Sequence, residues 1–274
     1  MGIIAQLVFV WALGFGAVPG PPAVESLAVL LARPHGADVK ADVAALVEGY
    51  NKLVPGGPAA FLLPKDKAGA SFQLPGIGRV QVRVDDRPLA EAEAAFKRGI
   101  TSLISDAVLA PHVAQLVVEL TPEAGTARVA ALEALTSLGI VACQRDASTA
   151  GVYFAAGRVL QPAPYVLGAA RDKLPKGWLW VGFELGGNTS ELTFTSIGLA
   201  KKGLLELQLT TARRDVGAAI ETFFDLVALA LARDQDFPDG HEFARKSGTP
   251  LVVRHGEVGG SQVWRVAYVP GKAP

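Results

Sequence analysis

Apolar positions along this chain switch repeatedly between a period of two and a helical period, and the switches predict alternating strands and helices. LAVLLA at 27–32 is an unbroken apolar run of strand length. Asp38 stands where a helix N-cap is wanted, ahead of Val39, Val43, Leu46, Val47 and Tyr50 on one helical face. Pro55, Gly56, Gly57 and Pro58 end that helix. AAFLLP at 59–64 reads as a strand, as does 79–84, where Val80, Val82 and Val84 alternate with Gln81 and Arg83 and leave one face wet. Pro88 opens a helix with a stripe of Leu89, Ala92, Phe96 and Ile100. Residues 112–120 form the next strand. Thr121, Pro122 and Glu123 then open a helix reaching Leu138 and closed by Gly139, after which GIVACQR at 139–145 reads as an apolar strand.

A second stretch begins with VYFAAGRVL at 152–160, two short strands meeting at Gly157, and Pro162 opens a helix towards Lys173. WLWVGFEL at 178–185 is apolar on both faces and reads as a central strand, with Trp178 and Trp180 on one face and Leu179, Val181 and Phe183 on the other. Residues 191–195 and 204–210 alternate as half-exposed strands. Asp215 is placed to cap the helix 216–233, whose apolar content makes it the expected most buried helix. Glu221 and Asp225, four residues apart, mark its solvated stripe. Segments near 241–245, 250–255 and 262–269 complete the strands. The expected fold is α+β, with about five helices and about a dozen strands in two lobes of mixed sheet. The lobes span 26–148 and 149–270, behind an apolar extension, 1–25.

Composition narrows the classes. Half of the 274 residues are hydrophobic and 19% are charged, which excludes a disordered chain. Lys plus Arg is 26 and Asp plus Glu is 26, so no general attraction to nucleic acid is expected. Cys143 is the single cysteine; it can form neither an intramolecular disulfide nor a cysteine zinc site, and reads as a small buried hydrophobe. His35, His112, His241 and His255 show no ligand spacing, so no metal is expected, and His112 beside Pro111 reads as structural and partly exposed. Residues 3–18 carry no charge, which is the length of a signal-peptide core and short for a membrane span. The first basic residue is Arg33, and the flanks therefore favour a cytoplasmic protein in which 6–11 form a buried strand. Export or membrane contact through 3–18 is the alternative.

The commonest catalytic signatures do not occur: no phosphate-binding loop with its lysine, no GxGxxG after a strand, no GxSxG elbow and no HExxH. No cofactor is expected. Gly186, Gly187 and Asn188 read as a hairpin turn, and of the adjacent Asp85 and Asp86, which would face opposite ways on a strand, one reads as a helix cap.

The second half carries a resemblance to a known family. Val152-Tyr153-Phe154, Trp178-Leu179-Trp180-Val181, Thr195-Ser196-Ile197-Gly198-Leu199 followed by Leu205-Glu206-Leu207, the helix after Asp215, and Asp239-Gly240 are similar to the pattern of the bacterial domain-of-unknown-function family forty-two sixty-one. Arg87-Pro88-Leu89 and the strand from His112 agree more loosely, so the likeness covers about 26–269. His241-Glu242 and Lys201-Lys202 depart from it. The resemblance implies a bacterial α+β protein and supplies no reaction. The expected function is a noncatalytic binding or protein-interaction role, immunity-like or regulatory, with a protein partner and a candidate surface at Thr195, Gly198, Glu206, Asp239 and His241. The alternative is a hydrolase-like enzyme using Thr195, Glu206, Asp239 and His241, which lie at strand ends and connections where binding groups gather. Glu206, between Leu205 and Leu207, is expected on a solvated face.

Overall fold

A computed structural model describes residues 24–34, 38–63, 70–104, 106–170, 176–243 and 250–268. The apolar segment 3–18, with its strand, signal and anchor readings, and His35 lie outside the described residues. The fold is α+β, as expected, with seven α-helices among the described residues rather than five. In chain order the elements are β1 (Glu25–Leu31), α1 (Val39–Leu53), β2 (Phe61–Leu62), β3 (Ser71–Leu74), β4 (Gly78–Asp85), α2 (Ala92–Lys97), α3 (Thr101–Ile104), β5 (Ala114–Pro122), α4 (Arg128–Arg145), β6 (Thr149–Phe154), β7 (Val159–Pro162), α5 (Ala163–Ala169), α6 (Gly177–Trp180), β8 (Gly182–Gly187), β9 (Glu191–Ile197), β10 (Glu206–Ala212), α7 (Val216–Arg233), β11 (Glu242–Phe243), β12 (Leu251–Val258) and β13 (Ser261–Tyr268). Short 3-10 turns at Ala200–Lys202 and Arg213–Asp215 flank β10.

The first sheet runs β2-β3-β4-β5-β1-β6-β7, antiparallel throughout. Its last two strands come from 149–162, which the sequence pattern grouped with the second stretch. In β1 the period of two is apolar on both sides. Leu27, Val29 and Leu31 join the main core, while Ala28 and Leu30 join a smaller cluster with Tyr153, Leu160 and α2 on the opposite face. The second sheet runs β11-β12-β13-β10-β9-β8, with β10 and β13 parallel and the other pairs antiparallel. One continuous core fills the space between the first sheet, the helices and the second sheet. Among the described residues no helix is long and apolar enough to cross a membrane.

Three readings are corrected. WLWVGFEL is not a central strand: residues 177–180 form the helical turn α6, and β8 follows as the edge of the second sheet. Trp178 and Trp180 therefore do not share a strand face. The turn carries Trp180 into the core, where its indole N–H donates to Thr136 Oγ1 of α4 at 2.8 Å, and leaves Trp178 half-buried. An indole N–H in an apolar interior needs such a partner, and the turn is what reaches it. GIVACQR is not a strand either. It is the C-terminal half of α4, which runs through Gly139 without a break. Finally, α7 is not the most buried helix. Eleven of the eighteen residues of α4 are buried against seven of the eighteen in α7, because α4 packs on β1, α1, α5 and α7 at once whereas one side of α7 faces water.

Candidate functional site

Glu206 opens β10, and its side chain turns back over the connection from β9. Its Oε1 accepts from the Gly198 amide at 2.8 Å and the Ala200 amide at 3.0 Å. Its Oε2 accepts from the Leu199 amide at 3.3 Å and from the Ser196 hydroxyl. The carboxylate thus satisfies the unpaired amides at the start of the 3-10 turn 200–202, as a capping side chain does. Glu206 is half-buried and fully bonded, which corrects its expected place on a solvated face. Gly198 has φ +112°, and a Cβ there would lie 2.6 Å from Gly157 Cα and 2.7 Å from Ala156 O. Gly198 is therefore where the β6–β7 turn rests on the second sheet, backbone against backbone. Thr195, on β9, accepts a long 3.3 Å hydrogen bond from Gln208 Nε2.

Asp239 and His241 belong to a different corner. Asp239 Oδ1 accepts from the His255 amide at 2.8 Å, and its other oxygen lies 4.0 Å from Arg254 Nη1. The His241 ring stacks on Phe237 at 5.8 Å and meets Phe243 edge-on at 4.7 Å. Burial, helped by the nearby Arg233 guanidinium, lowers its pKa. No hydrogen bond or ion pair among the described residues joins this corner to Glu206 or Thr195. The sequence-based set is thus two structural clusters, on β9–β10 and on β11–β12.

Three charged groupings were not legible in the sequence. Lys202, with 2% of its surface exposed, donates to both oxygens of the buried Glu25 at 2.8 Å. Burial drives its ammonium below the usual lysine pKa, and Glu25 opposes that. Glu91 accepts from the Tyr153 hydroxyl at 2.6 Å and from Arg158 Nη2 at 2.9 Å, with Arg98 Nη1 3.6 Å away. Asp42 is paired with Arg145 beside a cavity of about 270 Å³ between α1, α4 and the first sheet. Apart from Arg98, seven residues from Glu91, each partner lies more than sixty residues away in sequence, so no local spacing marked the pairs. Cys143 is inert: burial pushes its thiol up to about 12. His112 accepts from the Leu89 amide at 2.9 Å and is half-buried, the structural role expected of it.

A second cavity, of about 330 Å³, opens between α3, α5, α6 and α7. Tyr165, Trp178 and Phe224 supply rings, Ile100 an aliphatic wall, and Glu221 and Asp225 two exposed carboxylates. Behind it, the buried Gln161 accepts from Thr101 Oγ1 at 3.1 Å and donates to the Trp178 carbonyl at 3.0 Å, fixing α3 and α6 to β7. The volume lies within the range of small-molecule sites, and the mostly apolar lining with a few polar groups is their usual composition. No protein-family model, curated protein or solved structure matches the chain.

Proposed function

We propose that this chain is a noncatalytic binding protein, immunity-like or regulatory, that acts by association with a partner rather than by turnover. The observation that supports the reading is the bonding of Glu206. A general acid or base needs a carboxylate oxygen free for a substrate proton. Both oxygens of Glu206 are instead taken by Ser196 and three amides of its own turn. His241, the other candidate for proton transfer, is packed against Phe237 and Phe243 and has no link to Glu206. The likeness to family forty-two sixty-one, with the bacterial source it implies, belongs to the same proposal, as does the cytoplasmic setting that the flanks of residues 3–18 favour. The test takes the purified full-length chain through ester, amide and phosphoester substrates and, separately, through affinity co-purification followed by reconstitution from two purified proteins. The expected result is no turnover and a stoichiometric complex. Turnover that Glu206→Gln or His241→Phe abolishes while the fold is kept overturns it.

A further inference from the structure

We propose that the cavity between α3, α5, α6 and α7 binds a small organic cation, an ammonium group on an apolar or aromatic body. The inference rests on the binding reading above and names a ligand class for a site that reading leaves open. Three aromatic side chains, Tyr165, Trp178 and Phe224, line one cavity while remaining half-exposed. Ring faces carry negative quadrupole potential and attract cations, most strongly where water is displaced. The charges beside them have the matching sign: Glu221 and Asp225 lie one helical turn apart on α7 and both line the cavity. Asp225 already has an interaction of its own, so the argument rests on Glu221, which makes no ion pair among the described residues. The Tyr165 hydroxyl and Trp178 indole N–H likewise make no hydrogen bond there, leaving polar groups for orientation.

Other ligand classes fit less well. An anion would meet the Glu221 carboxylate, and a neutral apolar molecule would gain nothing from it. The walls are also held in place before any ligand arrives. Gln161 ties α3 to α6, and Phe224 is locked edge-on against Phe223 at 5.2 Å and Phe183 at 6.1 Å. Such preorganisation lowers the ordering cost of binding.

The test is a ligand-detected NMR titration of the full-length chain with 2-phenylethylammonium, its neutral counterpart 2-phenylethanol, and 3-phenylpropionate. The cation is expected to bind about tenfold more tightly than the alcohol, and the carboxylate not to bind. Glu221→Gln, at an exposed helix position, should keep the thermal midpoint and weaken the cation about tenfold while leaving the alcohol unchanged. Equal affinity for cation and alcohol, no binding of the cation, or an unaffected Glu221→Gln variant overturns the proposal. Any of these beside an intact protein complex discards the cation site and keeps the binding reading. Enzymatic turnover discards that reading whatever the cation does.

Discussion

The Glu206 carboxylate holds together the turn whose residues looked most like a chemical site. Glutamine has the same shape but one acceptor oxygen, and its amide would face an amide or hydroxyl donor with another donor. Glu206→Gln is therefore expected to cost about 1–3 kcal/mol in urea unfolding, the penalty for unsatisfied, part-buried donors. The Glu25–Lys202 pair is the sharper case. Removing the ammonium leaves a carboxylate buried without its partner, so Lys202→Met should cost about 3–5 kcal/mol. The double change Glu25→Leu with Lys202→Met should recover much of that, because an apolar pair needs no desolvation of charge. A double change costing the sum of its parts would show that the pair is not coupled.

At the scale of elements, the helices record how closely neighbours approach. A Cβ on Gly49 of α1 would fall 2.3 Å from Val141 Cγ1 of α4, whereas one on Gly139 of α4 would make ordinary contacts of 3.4 Å with Leu27 and 3.5 Å with Val152. Gly139→Ala should thus stabilise by up to about 1 kcal/mol through helix propensity, and Gly49→Ala should destabilise by about 1–3 kcal/mol through overpacking. Thermal midpoints of the two variants, moving in opposite directions, check this. The elements also show where periodicity ran out. Val80, Val82 and Val84 alternate against polar neighbours, and β4 is buried and exposed in step with them. WLWVGF at 178–183 and GIVAC at 139–143 are runs of five or six residues with no polar position to set a phase, and a buried strand and a buried helix share that pattern. The choice between them was made by the partners: Thr136 for Trp180, and β1 and β6 for the face of α4 around Gly139.

For the whole molecule, stability is tied to pH through groups spread over both sheets. Burial places His112 and His241 below the usual histidine value near 6.5. A lowered histidine contributes stability that is complete above its unfolded pKa and is lost as pH falls through the folded value. Burial by itself would raise Glu91, but the Tyr153 hydroxyl and Arg158 outweigh it and the carboxyl ends below its ordinary 4.5. Its contribution is lost further down, as pH falls through that lowered value. The urea midpoint is expected to fall in two steps as pH drops, the first setting in below the ordinary histidine value near 6.5 and the second below the ordinary glutamate value of 4.5. His241→Phe, which keeps a ring between Phe237 and Phe243, should shrink the first step and leave the second. A midpoint that stays flat from neutrality down to the ordinary glutamate value would remove the histidine contribution.

The sequence by itself determined the α+β class, most strands, the span of α7 and the positive-φ glycine before the 200–202 turn, because periodicity and turn chemistry are carried by neighbouring residues. Only the tertiary structure decided what the polar residues do. Glu206 met its four donors through a turn of known length, yet whether it faced them or water depended on how β9 and β10 pair. Glu25 and Lys202, Asp42 and Arg145, and Tyr165, Trp178 and Glu221 come together from distant parts of the chain. Their proximity follows from how helices and sheets pack around one core, which no local spacing encodes.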